Sequence, residues 1–288
     1  MTELWFTETL GSIRGAWEVK QVLYHQRSKY QDVVVLDTVH FGRMLVLDGA
    51  VMTTEGDEFV YHEMLTHPGL LAHPAPKSVC VVGGGDGGTI REVLKHPTVE
   101  RAVLAEIDED VIDVCREYFP KLAGMLSDPR VEIRVGDGAK YLADHPGEFD
   151  AVISDSTDPV GPGVVLFEDP YFRGAKQALK AGGFFVTQCK SVWLDAEIVR
   201  EVQKKFSQLF RYASVYGATI PTYPSGSWTF IIGSDGMNPR GKPDEARQRL
   251  VSQLARYYTP EHQSAAFAMP AFLAHPERDP HLGRVHES

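Results

Sequence analysis

Residues 79–94, VCVVGGGDGGTIREVL, join an apolar run to a glycine-rich turn and then to a helical pattern. Gly83, Gly85 and Gly88 have the GxGxxG spacing directly after the predicted strand, at the start of the predicted helix. Glycines let such a turn tighten and let a ligand approach the backbone closely. Because a tight turn without a ligand has the same pattern, the spacing alone is weak evidence for binding.

Strand and helix patterns alternate after this turn. The strand-like runs are RAVLAEID (101–108), VEIRVGD (131–137) and FDAVISD (149–155), and the helix-like run EDVIDVCREYF (109–119) lies between the first two. Such alternation predicts an α/β fold with a mainly parallel sheet, helices on both faces and ligands beyond the C-terminal ends of the strands. The stretch PYFRGAKQALKAGG (170–183) is predicted to be a helix capped by Gly182.

The first 60 residues have a different pattern. DVVVLDT (32–38) and GRMLVLDGAVMTT (42–54) are rich in Val and Leu, with turn signals at Gly42 and at Asp48-Gly49. We therefore predict a small antiparallel β domain over residues 1–60 and a Rossmann-like catalytic domain over 61–288, with a C-terminal tail from about residue 275.

Composition excludes several classes of protein. No apolar run approaches the roughly 20 residues of a membrane span, and the N-terminus lacks the pattern of a secretory signal. Three widely spaced cysteines argue against a disulfide framework or a zinc site and favour the cytoplasm: Cys80, Cys115 and Cys189. The net charge of −10 weighs against a nucleic-acid partner. It suits a small cationic substrate, although it also serves solubility.

Acidic residues follow three successive predicted strands. Glu106 can accept hydrogen bonds from ribose hydroxyls, and Asp137 from an adenine amino group. Asp86, inside the glycine turn, would repel the pyrophosphate of a dinucleotide and attract a cationic nucleoside. The set favours a sulfonium nucleoside of the S-adenosylmethionine type over NAD, and it predicts a class I methyltransferase-like fold.

A second acidic segment follows the strand 149–155. In VISDSTDPVGPG (152–163), Asp155 and Asp158 stand between an apolar run and a turn rich in Pro and Gly. Two carboxylates at a strand end predict a site for a cation at this edge of the sheet. The same residues could instead cap the strand and form an Asx-turn before Pro159.

Taken together, these segments resemble the polyamine aminopropyltransferases, and specifically the spermidine synthase type. The resemblance runs from about residue 3 to residue 273. Ordinary methyltransferases share the glycine turn but not DEFVYHE (57–63) or IPTYPSG (220–226). The other segments that carry the resemblance are LWFTE (4–8), KYQD (29–32), FGRMLVLDG (41–49), GGGDGG (83–88), EID (106–108), SDPR (127–130), GDG (136–138), ISDSTDPVGP (153–162) and AAFAMPAFL (265–273).

The resemblance implies a reaction and a set of site residues. Members transfer an aminopropyl group from decarboxylated S-adenosylmethionine, a co-substrate, to a diamine such as putrescine, and they need no cofactor or metal. It implies Asp155 as the proton acceptor, assisted by Tyr61. The implied nucleoside site comprises Gln31, His62, Gly83, Gly85, Asp86, Glu106, Asp137, Gly138 and Pro162, and the implied diamine site comprises Tyr61, His62, Asp155, Asp158 and Tyr223. Trp5, Tyr61 and Tyr223 would offer aromatic faces to the amine.

Two positions depart from the family pattern. Met52 stands where several members have glutamine, and Lys190 stands where an acidic or neutral residue is common. Because a lysine facing the diamine would repel it, we expect Lys190 to point away or to pair with an acid such as Glu201. The acceptor therefore stays open among putrescine, cadaverine and agmatine. A small-molecule methyltransferase and a non-catalytic sensor are the alternatives, and the family implies a homodimer or homotetramer.

Overall fold

The computed structural model describes residues 3–10, 13–158 and 161–278, with the backbone alone at residues 161 and 162. Within these residues the strands form two sheets. The first contains Leu4–Leu10 (β1), Ile13–Arg27 (β2), Asp32–Thr38 (β3), Gly42–Leu47 (β4) and Ala50–Thr54 (β5). The second contains Ser78–Gly83 (β6), Arg101–Glu106 (β7), Val131–Val135 (β8), Phe149–Asp155 (β9), Leu179–Gln188 (β10), Tyr212–Thr219 (β11) and Ser227–Ser234 (β12).

The helices lie between these strands and after them. They are Glu58–Ala72 (α1), Gly88–Leu94 (α2), Glu109–Tyr118 (α3), Pro120–Ala123 (α4), Gly138–Asp144 (α5), Asp169–Ala178 (α6), Ala196–Leu209 (α7), Glu245–Leu254 (α8), Pro260–Ala266 (α9) and Ala271–Ala274 (α10). Short 3₁₀ turns cover Gly124–Ser127, Gly161–Phe167, Pro224–Gly226 and Pro276–Arg278. The end of the predicted tail, residues 279–288, lies outside the described residues.

The first sheet is an antiparallel meander in the order β1-β2-β3-β4-β5. Its tight turns occur where the sequence predicts them. Gly42 has a φ of 70°, and Asp48 and Gly49 have φ values of 46° and 83°, as expected of a two-residue hairpin turn. The predicted N-terminal antiparallel sheet is therefore confirmed, while the division of the chain at residue 60 stays a prediction. Helix α1 begins at Glu58, just after the sheet ends.

The second sheet has the order β11-β12-β10-β9-β6-β7-β8. Strands β10, β9, β6, β7 and β8 are parallel to their neighbours in this series, and β12 pairs antiparallel with β10 and β11. The chain runs from β6 outward to β8 and then returns to place β9 on the other side of β6. This change of direction opens a crevice at the C-terminal ends of β6 and β9, where open α/β sheets bind their ligands. It also sets Gly83 beside Asp155 in the register.

The predicted cap at Gly182 is wrong. Helix α6 ends at Ala178, and strand β10 begins at the next residue. Gly182 lies within β10 with a φ of 86°, in the stretch where the pairing with β9 shifts register between Leu179 and Phe184. The glycine thus belongs to a bulge in the strand, which needs the same left-handed backbone as a helix cap.

Helix α1 is buried along most of its length, and Glu63 at its centre is fully buried. The Glu63 carboxylate accepts hydrogen bonds from the backbone N–H groups of Arg256, Tyr257 and Tyr258 at 2.7–2.8 Å. These bonds hold the segment after α8 against α1. No helix in the described part of the chain is long and apolar enough to cross a membrane.

We expect Glu63→Gln to lower the free energy of unfolding by about 2 kcal/mol, because the amide nitrogen of Gln cannot accept and leaves a buried N–H group unpaired. Urea denaturation followed by circular dichroism measures the change. The matched control is Glu100→Gln, since the Glu100 side chain is 67% exposed and pairs with Lys77. A Glu63→Gln protein as stable as the control would contradict the role given to these three bonds.

Candidate active site

A cleft lies at the C-terminal ends of the parallel strands. It measures about 1110 Å³ counted out to its mouth. Leu45, Leu47 and Met52 of the first sheet form one wall, so both sheets contribute to it. The cleft brings together most of the site residues predicted from the sequence, namely Gln31, Tyr61, His62, Gly83, Gly85, Asp86, Glu106, Asp137, Gly138, Asp155 and Tyr223.

The glycine turn allows the chain to pass directly under Asp155. Gly83 and Gly84 have φ values of 75° and 73°. A Cβ atom on Gly83 would lie 2.2 Å from the Asp155 carbonyl oxygen, and one on Gly84 would lie 2.6 Å from Asp155 Oδ2. Both the left-handed backbone and this close approach require glycine. The turn therefore holds the Asp155 carboxylate at the floor of the cleft.

Glu106 closes the other side of the glycine turn. Its carboxylate accepts from the backbone N–H groups of Gly85 at 3.1 Å and Asp108 at 2.9 Å. Burial raises the pKa of Glu106 to about 7 although these N–H groups oppose the shift. Asp108 in turn accepts from the Gln31 side-chain amide at 2.9 Å, which ties the residue just before β3 to the segment that follows β7.

Asp137 has a second task besides the predicted one. It is the N-cap of α5, and its Oδ1 accepts from the backbone N–H groups of Ala139 and Lys140 at 2.8 and 3.1 Å. The side chain is exposed at the mouth of the cleft. Gly138 follows it, and a Cβ atom there would lie 2.5 Å from Val82 Cγ1. The cap fixes the carboxylate at the rim, with Oδ2 free of these two bonds.

His62 stands between two acids beneath the glycine turn. Its Nδ1 lies 2.7 Å from Glu58 Oε2, and its Nε2 lies 3.4 Å from Asp86 Oδ2. Burial alone would lower the pKa of His62, but the charges and hydrogen bonds of Asp86 and Glu58 outweigh it and hold the pKa well above its usual value. Burial would likewise raise the pKa of Asp86, but His62 lowers it. The imidazolium thus keeps Asp86 ionised in a buried position.

The Asp155 carboxylate lies between the helix after the glycine turn and the buried histidine. Its Oδ2 accepts from the Thr89 hydroxyl at 2.7 Å and lies 4.0 Å from His62 Nε2. Burial raises the pKa of Asp155; His62 opposes the rise, and the charge of Asp86 adds to it. A carboxylate with a raised pKa is a stronger base than an ordinary aspartate, so Asp155 is suited to accept a proton.

His62, Asp86 and Asp155 have ligand atoms within 4.8 Å of one another, a spacing that could hold a metal ion. Both ring nitrogens of His62 already face carboxylates, Nδ1 toward Glu58 and Nε2 toward Asp86. The three residues form a charge cluster in which His62 and Asp86 act in opposite directions on the pKa of Asp155.

Two tyrosines form a wall above Asp155. The ring centroids of Tyr61 and Tyr223 are 5.7 Å apart, and Tyr61 also packs on Phe230. The Tyr223 hydroxyl donates to the Met52 carbonyl at 2.6 Å. Burial raises the pKa of both hydroxyls well above the usual value, and the charge of Asp155 adds to the shift. Both tyrosines are therefore neutral at physiological pH.

A smaller recess opens next to the cleft and shares five lining residues with it, namely Met52, Tyr61, Ser156, Thr157 and Tyr223. We call it the side lobe. Its other lining residues are Glu8, Ala50, Val51, Asp158, Gln188, Pro224 and Trp228. The predicted diamine residue Asp158 lies here rather than in the main cleft.

Two expectations are corrected by the structure, and a third stays a prediction. Lys190 does pair with acids, but with Asp158 at 3.2 Å and Asp195 at 3.7 Å; the expected partner Glu201 pairs with Lys205 instead. Trp5 is 51% exposed on β1, where its Nε1 donates to Glu3, and it does not line either recess. The side chain of Pro162 lies outside the described residues.

Sequence reasoning missed four residues of the site. Thr89 hydrogen bonds to Asp155, Glu58 to His62, and Glu8 and Gln188 line the side lobe. Thr89 and Glu58 had a local signal, because one follows the glycine turn and the other stands one helical turn before His62. Glu8 and Gln188 had none, since each reaches the site from a strand far away in the sequence.

Two family models match the chain. Residues 58–241 match the spermine/spermidine synthase domain, and residues 4–55 match the spermidine synthase tetramerisation domain. The chain belongs to the spermine/spermidine synthase family. The predicted family and its enzyme class, polyamine aminopropyltransferase, are confirmed. The match to a tetramerisation domain also supports oligomerisation.

Relatives match along nearly the whole chain. The polyamine aminopropyltransferase of Thermoanaerobacter sp. (strain X514) is 47% identical over 272 residues, which cover 94% of this chain and 97% of the relative. The polyamine aminopropyltransferase of Bacillus mycoides (strain KBAB4) is 46% identical, with 94% and 98% covered.

Solved structures of the family have the same fold. A spermidine synthase in complex with the transition-state analogue AdoDATO has a TM-score of 0.92 and 37% identity, with 94% of each chain covered. The spermidine synthase from Thermotoga maritima has a TM-score of 0.89 and 35% identity, with 94% and 93% covered. The predicted fold class is thereby confirmed.

Proposed function

We propose that the chain transfers the aminopropyl group of decarboxylated S-adenosylmethionine to putrescine, giving spermidine and methylthioadenosine. The observation that carries this proposal is the position of Asp155, a buried base that lines a nucleoside-sized cleft and directly precedes Ser156 and Thr157, which the cleft shares with the side lobe. The first recess suits the nucleoside and the second suits the amine. The aminopropyl group passes from one substrate to the other, so the transfer has to take place where the two recesses meet.

The reaction needs one amine of putrescine in its neutral form, because an ammonium has no lone pair. Asp155 accepts the proton that this nitrogen loses. The nitrogen then attacks the aminopropyl carbon next to sulfur, the carbon–sulfur bond breaks, and its electron pair stays on sulfur. The leaving group is a neutral thioether, so its departure requires neither an acid nor a metal. We accordingly propose that no cofactor takes part. The walls of Tyr61 and Tyr223 would align nitrogen, carbon and sulfur.

Charge in the cleft favours the decarboxylated nucleoside over S-adenosylmethionine itself. His62 keeps Asp86 ionised inside the glycine turn. The carboxylate of S-adenosylmethionine would meet this charge, whereas a sulfonium and a propylamine are attracted by it. In the proposed complex Glu106 binds the ribose, Asp137 with Gly138 meets the adenine, and Gln31, His62 and Asp86 surround the aminopropyl arm. An ionised Asp86 would weaken the binding of S-adenosylmethionine, so this residue does not suit a methyltransferase.

A homodimer or homotetramer is the proposed assembly. The first sheet exposes large apolar side chains at Leu4, Trp5, Ile13 and Val22, which suit a contact between copies. The expected cytoplasmic location stays a prediction.

The test is release of methylthioadenosine, measured by mass spectrometry, from decarboxylated S-adenosylmethionine with putrescine, cadaverine, agmatine or spermidine offered separately. Preference for putrescine is the expected result. Preference for another amine would retain the chemistry and change the acceptor. Methyl transfer from S-adenosylmethionine, or binding without release, would overturn the proposal in favour of the methyltransferase or the sensor.

The pH dependence of turnover should follow Asp155. Its basic form exists above its raised pKa, so kcat is expected to fall as the pH drops through that value. Thr89→Val removes a donor that stabilises the ionised carboxylate, which raises the pKa further and shifts the acid limb of kcat to higher pH by about one unit.

Profiles of kcat against pH for wild type, Thr89→Val and the control Thr66→Val check this expectation. Thr66 is a buried threonine of α1 whose hydroxyl makes no hydrogen bond to Asp155. An acid limb that stays in place in Thr89→Val, or moves to lower pH, would be incompatible with Asp155 as the titrating base.

A further inference from the structure

Lys190 lies next to Asp158, a carboxylate of the side lobe that is placed to bind an amine. Lys190 Nζ is 3.2 Å from Asp158 Oδ2 and 3.7 Å from Asp195 Oδ1. The Lys190 side chain is 14% exposed, so its charge is poorly screened by water. Asp158 lines the side lobe and Lys190 does not. One carboxylate of the lobe is thus already paired with a cation of the protein.

The backbone fixes the position of this lysine. Lys190 has a φ of 62°, which a residue with a side chain seldom adopts. Its N–H donates to Gln188 Oε1 at 2.9 Å, and its carbonyl accepts from the N–H and the hydroxyl of Thr229 at 2.9 and 2.8 Å. Strained backbone that is held by several bonds is typical of functional sites. Gln188, one of these partners, itself lines the lobe.

Glu8 is the other acid of the side lobe. It is 5% exposed, and its Oε1 accepts from the Val51 N–H at 3.1 Å. Burial raises the pKa of Glu8 to about 7, with Val51 opposing the shift and the charge of Asp158 adding to it. Near neutral pH the lobe therefore holds a partly protonated Glu8 and an Asp158 whose charge is paired with that of Lys190. The net negative charge available to a second ammonium group is smaller than that of two free carboxylates.

We propose that Lys190 sets the acceptor selectivity of this site by competing with the distal ammonium of a diamine for Asp158. This inference rests on the aminopropyl transfer proposed above. Lys190 acts through Asp158 and does not touch the substrate, so it is a specificity-determining residue and not a catalytic one. The charge of Lys190 lowers the affinity of the lobe for a distal ammonium group, so a diamine is preferred less strongly over a monoamine of the same length.

The test compares putrescine with n-butylamine, which has the same four-carbon chain without the second amine. In Lys190→Gln, the ratio of kcat/KM for putrescine to that for butylamine is expected to rise about tenfold, through a lower KM for putrescine. Lys190→Arg keeps the charge and the wild-type ratio. Lys205→Gln is the matched control, because Lys205 pairs with Glu201 and Asp169 away from the lobe.

Calorimetric titration of the same two amines into protein saturated with methylthioadenosine provides a readout that needs no turnover. The ratio of the two dissociation constants should change by the same factor of about ten in Lys190→Gln. An unchanged or smaller preference for putrescine would overturn the role of Lys190. Absence of turnover in the wild type would overturn the proposed reaction, and the titration would still decide on Lys190.

Asp158→Asn, added to Lys190→Gln, tests whether the lysine acts through this carboxylate. In the Lys190→Gln protein Asp158 is free of its cation, so the added Asp158→Asn should remove the tenfold gain. A gain that persists in the double variant would show that Lys190 does not act through Asp158 and would refute the competition.

Discussion

Asp155→Asn is expected to lower kcat for aminopropyl transfer by about 10³-fold while leaving affinity for methylthioadenosine within about threefold. Asn is nearly the same size, and its carbonyl oxygen can still accept from Thr89, so the floor of the cleft keeps its shape. The amide cannot take up a proton from the attacking amine. The loss should therefore fall on the chemical step and not on nucleoside binding.

Single-turnover kinetics measure the chemical step, and calorimetric titration of methylthioadenosine measures binding. The control is Asp113→Asn, an exposed aspartate of α3 that pairs with Arg116. If Asp155→Asn turned over at close to the wild-type rate, another group would have to be the base. If binding fell as much as turnover, Asp155 would be a binding residue instead.

Glu106→Ala is expected to weaken methylthioadenosine binding by about 100-fold. The carboxylate is 7% exposed and is held toward the cleft by the N–H groups of Gly85 and Asp108. In the proposed complex it accepts from the ribose hydroxyls, and hydrogen bonds to a charged group contribute about 1.5–3 kcal/mol each. The substitution removes these bonds and also releases the glycine turn from its partner.

Titration calorimetry of Glu106→Ala gives the change in affinity, and thermal unfolding confirms that the variant is folded. Glu109→Ala is the matched control, because Glu109 is exposed in the first turn of α3, three residues further along. Binding within about threefold of the control would mean that Glu106 serves the glycine turn alone.

Local patterns were sufficient for the main elements. The run SVCVVG, the glycine spacing and the helix after it are short-range features, and the structure has β6 and α2 at these residues. Gly182 shows the limit of such reasoning. A glycine with positive φ is compatible with a helix cap and with a bulge, and pairing between β9 and β10 decided for the bulge.

Some residues of the candidate site could be predicted from local patterns, and others could not. Glu106, Asp137 and Asp155 were foreseen because each ends a strand or begins a helix, and parallel strands bring such ends to one edge of the sheet. The motifs also identified Gln31, Tyr61, His62 and Tyr223, which the cleft does bring together. The glycine turn marked Thr89 as a residue near the ligand, but its bond to Asp155, 66 residues away, depends on the tertiary structure.

By itself, then, the sequence determined the α/β fold, the family and the acids at the strand ends, because these depend on periodicity, turn residues and contiguous motifs. The tertiary structure alone decided which charges meet. It paired Lys190 with Asp158 instead of Glu201, placed Glu8 in the side lobe, and brought Asp86 to His62. Charge pairing depends on distances of a few ångströms between segments that are apart in the sequence, and only the packing of the folded chain fixes those distances.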